Sequence, residues 1–186
     1  VLTARLCKQQ HPGEKVAFIG PCSAKKLEAM RTSVRTEVDF VLTFEEVMGM
    51  FEAKGIKFDE ITQTAPLREG TAAGRGFAVS GGVADAVREA ISHIDPEREV
   101  KTVCAQGLKD CRKMLMLAKA GKYDGYLLEG MACPGGCVAG AGTLLPIEKA
   151  AAIVRNYTAQ AEEKSATETK YEATLPLLLE DEDDVE

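Results

Sequence analysis

Three cysteines in this sequence stand in settings that suit metal-binding chemistry. Cys133 and Cys137 are separated by three residues in the stretch EGMACPGGCVAGAG at 129–142, and Cys22 stands in GPCSAKKLE. A thiolate is a soft metal ligand, and glycine-rich backbone around it lets a bulky cluster approach and presents N–H donors to the sulfurs. The spacing therefore predicts thiolate ligation, and the alternative for each cysteine is a small buried side chain.

The other cysteines and both histidines fit structural roles. Cys7, Cys104 and Cys111 fall in predicted helices or a predicted strand, where a free cysteine is usually packed as a small apolar residue. Zinc is the rival metal, but a structural zinc site normally needs a second pair of Cys or His. His93 lies in a helical pattern and His11 lies beside a proline. Zinc remains an alternative without an obvious second ligand pair.

The elements that must position these cysteines repeat one pattern, in which an apolar run is followed by a turn and then by a helix. The runs occupy residues 16–20, 38–43, 77–81, 100–105 and 123–128. Alternating strands and helices predict an α/β fold, with a mostly parallel sheet and helices on both faces. Such sheets bind ligands at the carboxyl ends of their strands, where Cys22 and the Cys133–Cys137 pair would emerge.

Local signals predict where one of these helices begins and ends. Thr43 and Glu46 have the spacing of a capping box at the start of FEEVMGMFEAKG. Gly55 follows that segment as a helix stop. Residues 61–76 do not follow the strand–helix pattern, and we expect an irregular excursion there.

Composition and charge exclude several classes of protein. The chain has 186 residues, of which 45% are hydrophobic and 28% charged, which is typical of a globular protein. A formal net charge of −6 argues against a nucleic-acid partner, and no apolar stretch approaches the roughly 20 residues of a membrane span. The opening residues carry no recognisable export signal, so we expect a cytoplasmic protein with reduced thiols. We expect one α/β domain over residues 1–163 and a polar, then acidic tail over 164–186.

Two of these stretches resemble the motifs of a known family. FIGPCSAKKLE and EGMACPGGCVAGAG, with DFVLTFEEV between them, are similar to the second and third cluster-binding motifs of the iron-only, or [FeFe], hydrogenases and their sensory relatives. The similarity extends over about residues 1–155. It implies the C-terminal part of the large subunit, with the Rossmann-like half of the H-cluster domain. The H-cluster is a cubane [4Fe–4S] cluster joined through one thiolate to a diiron subcluster.

The resemblance implies an incomplete set of cluster ligands. Cys22 and Cys133 would ligate the cubane, and Cys137 would ligate it while bridging to the diiron unit. In the family a fourth ligand and a proton-delivering cysteine belong to a motif of the type TSCCP, which does not occur in this chain. We therefore expect an upstream part of the same protein to carry that motif, and we expect this chain alone to be inactive.

The resemblance also assigns roles to three further side chains and marks two departures. Lys25 would donate a hydrogen bond to a cyanide ligand of the diiron unit, Glu28 would relay protons, and Met131 would pack against the diiron unit. Gly20 stands where catalytic members have Met, and AGAG replaces a more glycine-rich run after the last cysteine. The first departure keeps a slow or sensory protein open as an interpretation.

The function implied for the parent protein is reversible hydrogen chemistry, 2H⁺ + 2e⁻ ⇌ H₂, carried out by an [FeFe] hydrogenase. The expected partners are the upstream part of the protein, a ferredoxin-type electron carrier and cluster-assembly proteins. The alternative is a non-catalytic iron–sulfur module with a sensory or interaction role.

Overall fold

The structure is a computed structural model that describes residues 1–65 and 69–178. The backbone divides into two units, which we describe separately. Unit 1 contains residues 1–64, 141–144 and the described residues from 170 onward, and unit 2 contains the described residues of 65–140 together with 145–169. The predicted domain boundary at residue 163 stays a prediction.

Unit 1 is built around two parallel strands, each followed by a helix. Its elements are α1 (Leu2–Gln10), β1 (Ala17–Ile19), α2 (Ala24–Ala29), β2 (Phe40–Leu42), α3 (Phe44–Ala53) and the 3₁₀ helices Phe58–Glu60 and Lys170–Leu178. The strands pair in parallel, with Ala17 opposite Phe40 and Ile19 opposite Leu42. The order β1–α2 and β2–α3 confirms the strand–helix units expected in this part of the sequence.

Helix α3 begins and ends where its sequence predicts. The Glu46 amide donates to the Thr43 hydroxyl at 3.3 Å, and the Thr43 amide donates to the Glu46 carboxylate at 2.8 Å. These reciprocal bonds satisfy two helix-terminal amides that would otherwise lack partners. Gly55, with φ 64°, follows the C-terminal end of the helix. The predicted capping box and the predicted stop are both confirmed.

Unit 2 contains the longer pair of strands. Its elements are α4 (Ala72–Gly76), α5 (Gly82–Ile94), β3 (Lys101–Gln106), α6 (Leu108–Lys119), β4 (Tyr126–Met131), α7 (Ile147–Ala159) and the 3₁₀ helices Cys137–Ala139 and Ala166–Glu168. Strands β3 and β4 pair in parallel from Lys101 opposite Tyr126 to Gln106 opposite Met131. The α/β class is thus confirmed, with the parallel strands forming two separate two-stranded sheets in the part of the chain that is described.

The expected strand at 77–81 is absent, and this prediction was wrong. The structure places these residues in the turn between α4 and α5. The backbone groups of the turn bond elsewhere, because the Ser80 amide donates to the Gly135 carbonyl at 3.1 Å and the Val138 amide donates to the Ala78 carbonyl at 3.0 Å. The apolar run FAVSG resembles a strand, but its hydrogen-bond partners lie on a distant loop.

The expected excursion at 61–76 includes helix α4, and residues 66–68 of it lie outside the described residues. The start of the predicted tail is attached to unit 2, because the Ala73 amide donates to the Lys164 carbonyl at 3.0 Å. Ser165 is fully buried and forms a capping box with Glu168. Residues 179–186, which include the acidic part of the predicted tail, lie outside the described residues. Among the helices that are described, none is both long enough and apolar enough to cross a membrane.

A single carboxylate joins α1 to the strands of unit 1. Asp39 accepts a hydrogen bond from the Val16 amide at 2.9 Å and ion-pairs with Lys15 and Lys8, each at 3.0 Å. The bond from Val16, followed by those from Lys8 and Lys15, holds the pKa of Asp39 well below its ordinary value of 3.8. The ionised carboxylate therefore stabilises the folded form.

We predict that Asp39→Asn lowers the free energy of unfolding at pH 7. The substitution should also reduce the decrease in this free energy as the pH falls. Because the pKa of Asp39 is lower in the folded chain than in the unfolded chain, its stabilisation is complete above about pH 4 and is lost as the pH falls below that value. Urea unfolding of both proteins between about pH 7 and pH 2 measures this difference. Glu14→Gln removes an exposed carboxylate nearby and serves as the control. Equal acid dependence in Asp39→Asn and the unsubstituted chain would contradict the assignment.

Candidate metal-cluster site

The Cys133–Cys137 pair lies on a loop that begins where β4 ends. Cys133 is half-buried, and Cys137 is exposed at the start of a 3₁₀ helix. The Gly136 amide donates to the Cys133 carbonyl at 3.0 Å, which closes a turn between the two cysteines. The Gly135 amide donates to the side-chain oxygen of Gln106 at 2.8 Å, and Gln106 is the last residue of β3. The loop is therefore held at the carboxyl end of the β3–β4 pair, as the α/β pattern predicted.

The same loop is bonded to the turn at residues 78–81. Its contacts are the hydrogen bonds from Ser80 to Gly135 and from Val138 to Ala78. Gly136 has φ 95°, a backbone conformation that favours glycine, and a Cβ atom there would lie 2.5 Å from the Ser80 nitrogen. The loop that holds the two cysteines thus depends on Gly136, whose backbone packs directly against the backbone of Ser80.

Cys22 lies in unit 1, half-buried in the turn between β1 and α2. The residue before it, Pro21, accepts a hydrogen bond at 2.9 Å from the amide of Gly142. A Cβ atom on Gly142 would lie 2.4 Å from the Cβ atom of Thr43, so only glycine fits there. The stretch AGAG at 139–142 has fewer glycines than the family motif that it resembles. Its last residue, Gly142, is still a glycine, and this is the position where Thr43 leaves no room for a side chain.

The predicted ligands thus fall into two groups. Cys133 and Cys137 share one loop of unit 2, and Cys22 belongs to unit 1. Across residues 1–65 and 69–178, no three side chains of His, Cys, Asp or Glu are grouped so that they could hold a metal ion together. The set of three thiolate ligands stays a prediction.

Lys25 and Glu28 bind each other on α2, with 2.5 Å between Lys25 Nζ and Glu28 Oε2. This hydrogen bond is the main cause that lowers the pKa of Glu28, while partial desolvation acts in the opposite direction. Both side chains line a cavity of about 70 Å³ in unit 1, together with Phe18. In this arrangement Lys25 is engaged and Glu28 is ionised at neutral pH, and their predicted roles beside a diiron unit stay predictions.

The space beside Gly20 is filled by an aromatic ring. A Cβ atom on Gly20 would lie 2.8 Å from Cε1 of Phe18, which lines the same cavity as Lys25. A methionine at position 20 would require the ring to move. The ring of Phe18 thus lies beside Gly20, an arrangement that the sequence did not predict because it depends on the rotamer of Phe18.

Met131 is the last residue of β4 and is half-buried. Its carbonyl accepts hydrogen bonds from the Gly107 amide at 2.8 Å and from the Cys111 thiol at 3.5 Å. Cys111 also reaches the Ala105 carbonyl at 3.6 Å. These contacts give Cys111 the structural role expected of it, and the predicted packing of Met131 against a diiron unit stays a prediction.

One buried carboxylate near the site was missed by the sequence analysis. Glu129 lies in β4 and is 7% exposed, and its two oxygens accept hydrogen bonds from the amides of Gly81 at 2.5 Å and Ala84 at 2.8 Å. Partial desolvation and then the charge of Glu129 raise the pKa of the Cys104 thiol on the neighbouring strand. The sequence carried an indication of this buried carboxylate, because Glu129 is a charged residue inside the apolar run YLLEGM.

The fold is that of the H-cluster domain of [FeFe]-hydrogenases. An apo [FeFe]-hydrogenase variant from Chlamydomonas reinhardtii matches this structure with a TM-score of 0.58 and 22% sequence identity, covering 97% of this chain and 63% of that chain. Residues 1–141 match the family model described as iron only hydrogenase large subunit, C-terminal domain, and the chain belongs to this family.

Curated relatives within this similarity differ in their described roles. The chain is 29% identical over 157 residues to the periplasmic [Fe] hydrogenase large subunit of Nitratidesulfovibrio vulgaris, covering 67% of this chain and 37% of the relative. It is 26% identical over 177 residues to a probable cytosolic Fe-S cluster assembly factor of Aedes aegypti, covering 73% and 37%. The chain thus spans little more than a third of the length of these relatives.

We predict that Gly136→Ala destabilises the loop and exposes Cys133, which is half-buried in the unsubstituted chain. The positive φ costs about 1–2 kcal/mol for a residue with a Cβ atom, and the collision with Ser80 adds to that cost. Gly125→Ala is the matched control, because Gly125 has φ 77° but open space around its Cβ position. Urea unfolding and the alkylation rate of Cys133 measure the effect. Similar unfolding energies and alkylation rates in the two variants would show that the close approach at Ser80 is unimportant.

We also predict that Gly142→Ala breaks the bond to Pro21. The new Cβ atom would collide with Thr43, so the segment 141–144 must move away from the turn that carries Cys22. Hydrogen exchange of the residue 142 amide, which loses its acceptor, should then become faster by about tenfold, as expected for losing about one backbone hydrogen bond. Gly49→Ala, which adds a Cβ atom in open space on α3, should leave this exchange unchanged. Unchanged exchange in Gly142→Ala as well would refute the prediction.

Proposed function

We propose that this chain supplies three cysteine ligands of an H-cluster in a parent protein that interconverts protons and hydrogen, 2H⁺ + 2e⁻ ⇌ H₂. The observation that carries the proposal is the Cys133–Cys137 loop, whose glycine backbone is pressed against residues 78–81 in a chain of the iron-only hydrogenase family. Cys22 and Cys133 would hold the cubane, and Cys137 would hold it while bridging to the diiron subcluster.

The residues of the loop fit such a group. Thiolates are the usual ligands of iron–sulfur clusters, and glycine backbone leaves space for their sulfurs. The Ser80 hydroxyl oxygen is buried and has no hydrogen-bond partner among the residues that the structure describes. A hydroxyl in that state can donate to a sulfur atom of a bound cluster or its ligands. When bound, the group would supply electron transfer and heterolytic cleavage of hydrogen.

Lys25 and Glu28 would work as a linked pair in this proposal. The Lys25 ammonium has three N–H donors, so it could donate to an anionic diiron ligand while still bonded to Glu28. If Lys25 turned fully toward that ligand, the main cause of the low pKa of Glu28 would be removed, and this pKa would rise toward its ordinary value. The carboxylate would then be better suited to accept and release a proton. Met131 would pack against the same group.

The complete site requires a part of the protein that carries the TSCCP-type motif. We propose that this upstream part supplies the fourth cubane ligand, and that a ferredoxin-type carrier and cluster-assembly proteins interact with the parent. We also propose a cytoplasmic location. One relative in the comparison is called periplasmic and another cytosolic.

The second candidate function is a non-catalytic iron–sulfur module with a sensory or interaction role. The packing of Phe18 against Gly20 favours it, because this ring fills the space that the methionine of catalytic members would need. The similarity to a probable cytosolic Fe-S cluster assembly factor favours it as well. Under this alternative the cysteines hold a cubane or retain only the fold.

The test is anaerobic reconstitution with iron and sulfide, with and without a separately expressed segment carrying the upstream motif. We expect about four irons per chain and the EPR signal of a reduced cubane only when that segment is present. Cys133→Ser and Cys137→Ser should lose iron. Cys104→Ser, which changes an exposed thiol on β3, should retain it.

The outcomes separate the candidates. Hydrogen evolution by the reconstituted parent after insertion of the diiron unit supports the hydrogenase, and a stable cubane without turnover supports the non-catalytic module. Failure to bind iron under either condition contradicts both iron–sulfur proposals. Zinc at about one equivalent, with no visible absorbance, would instead indicate a structural zinc site.

A further inference from the structure

Glu129 is a charged residue that is buried in β4. It is 7% exposed, and a charged group in the protein interior is costly unless its oxygens are hydrogen-bonded. Both oxygens have such partners, because Oε1 accepts from the Gly81 amide and Oε2 accepts from the Ala84 amide. Its partners in these bonds are main-chain donors at the start of α5. This helix has no side-chain cap from its N-cap residue, and Glu129 supplies the missing acceptor.

The residues bound by Glu129 adjoin those that hold the cysteine loop. Glu129 accepts hydrogen bonds from the backbone at Gly81 and Ala84. The preceding turn binds the loop through the bonds from the Ser80 amide to Gly135 and from the Val138 amide to Ala78. The loop is therefore attached to one short segment, 78–84, at two places. Between these attachments runs the chain from residue 130 to residue 134, which includes Cys133.

We propose that Glu129 is the positioning residue of the Cys133–Cys137 loop. By clamping β4 to the start of α5, its carboxylate fixes the path of residues 130–137 and thereby the separation of the Cys133 and Cys137 thiols before any metal binds. The relevance of this preorganisation to iron rests on the proposed function, but the positioning itself does not. Preorganised ligands bind a metal group with less loss of conformational freedom than ligands on a free loop.

The experiment compares Glu129→Gln with Glu46→Gln in the full chain. Each glutamate accepts hydrogen bonds at the N-terminus of a helix, but Glu46 does so on α3 in unit 1, away from the loop sequence. The isosteric glutamine keeps the volume and one acceptor oxygen while removing the charge and the second acceptor. Glu129→Ala, which leaves both amides without this partner, should show a larger effect of the same kind.

Two measurements are made without iron, in native buffer well below the unfolding temperature. Peptide-resolved hydrogen exchange follows residues 78–84 and 131–139, and mass spectrometry follows the alkylation rate of the half-buried Cys133. We expect Glu129→Gln to raise these rates roughly tenfold, as expected for the loss of one charge-assisted hydrogen bond, while exchange in α6 changes less than about twofold. Glu46→Gln should leave the loop rates unchanged while increasing exchange at the start of α3.

The proposal is overturned if the loop rates of Glu129→Gln equal those of the unsubstituted chain. It is also overturned if exchange in α6 rises as much as exchange in the loop, because Glu129 would then be a general stabiliser of unit 2. Iron uptake with the upstream segment present forms the last arm. Faster loop exchange with no iron uptake in the unsubstituted chain would support the positioning role and reject the cluster function. Uptake in the unsubstituted chain with a several-fold loss in Glu129→Gln would support both.

Discussion

The hydrogen bond from the Gly142 amide to the Pro21 carbonyl is the constraint on which the arrangement around Cys22 depends. It binds the last residue of the stretch EGMACPGGCVAGAG to the turn that carries Cys22. The bond forms only because Gly142 has no side chain, since Thr43 fills the space where a Cβ atom would lie. Thr43 is itself buried and held by its capping box with Glu46. A helix cap, a glycine and a turn thus form one continuous packed unit beside Cys22.

A second regularity is the use of carboxylates to satisfy the amides at helix starts. Glu46 does so for α3, Glu129 for α5 and Glu168 for a 3₁₀ helix. In each case a negative charge meets N–H groups that have no partner within the helix, which is favourable for both the charge and the helix. Glu46 and Glu168 are close in sequence to the amides they bind, whereas Glu129 is 48 residues from Gly81. Of these three glutamates, only Glu129 therefore links distant parts of the chain.

Membership of the iron-only hydrogenase family is compatible with more than one chemistry, and local packing near Cys22 bears on the choice. The ring of Phe18 lies where a side chain on Gly20 would go, and Lys25 is paired with Glu28. Under the proposed function both features concern side chains beside the diiron unit, while the cysteine ligands stay the same. In general, side chains around a metal group can change its reactivity without a change of ligands. The relatives include one described as a hydrogenase large subunit and one described as a probable cluster assembly factor.

The sequence by itself determined the features that depend on near neighbours in the chain. The strand–helix units, the capping box of Thr43 and Glu46, the stop at Gly55 and the cysteine motifs all follow from residue type and short spacing. Only the tertiary structure decided that residues 77–81 form a turn, that Glu129 caps α5, and that Phe18 packs against Gly20. In each of these cases the deciding partner is a ring orientation or a group on a distant segment. The free energy of such contacts depends on which backbone groups the fold brings within hydrogen-bond or van der Waals distance, and no local pattern encodes that.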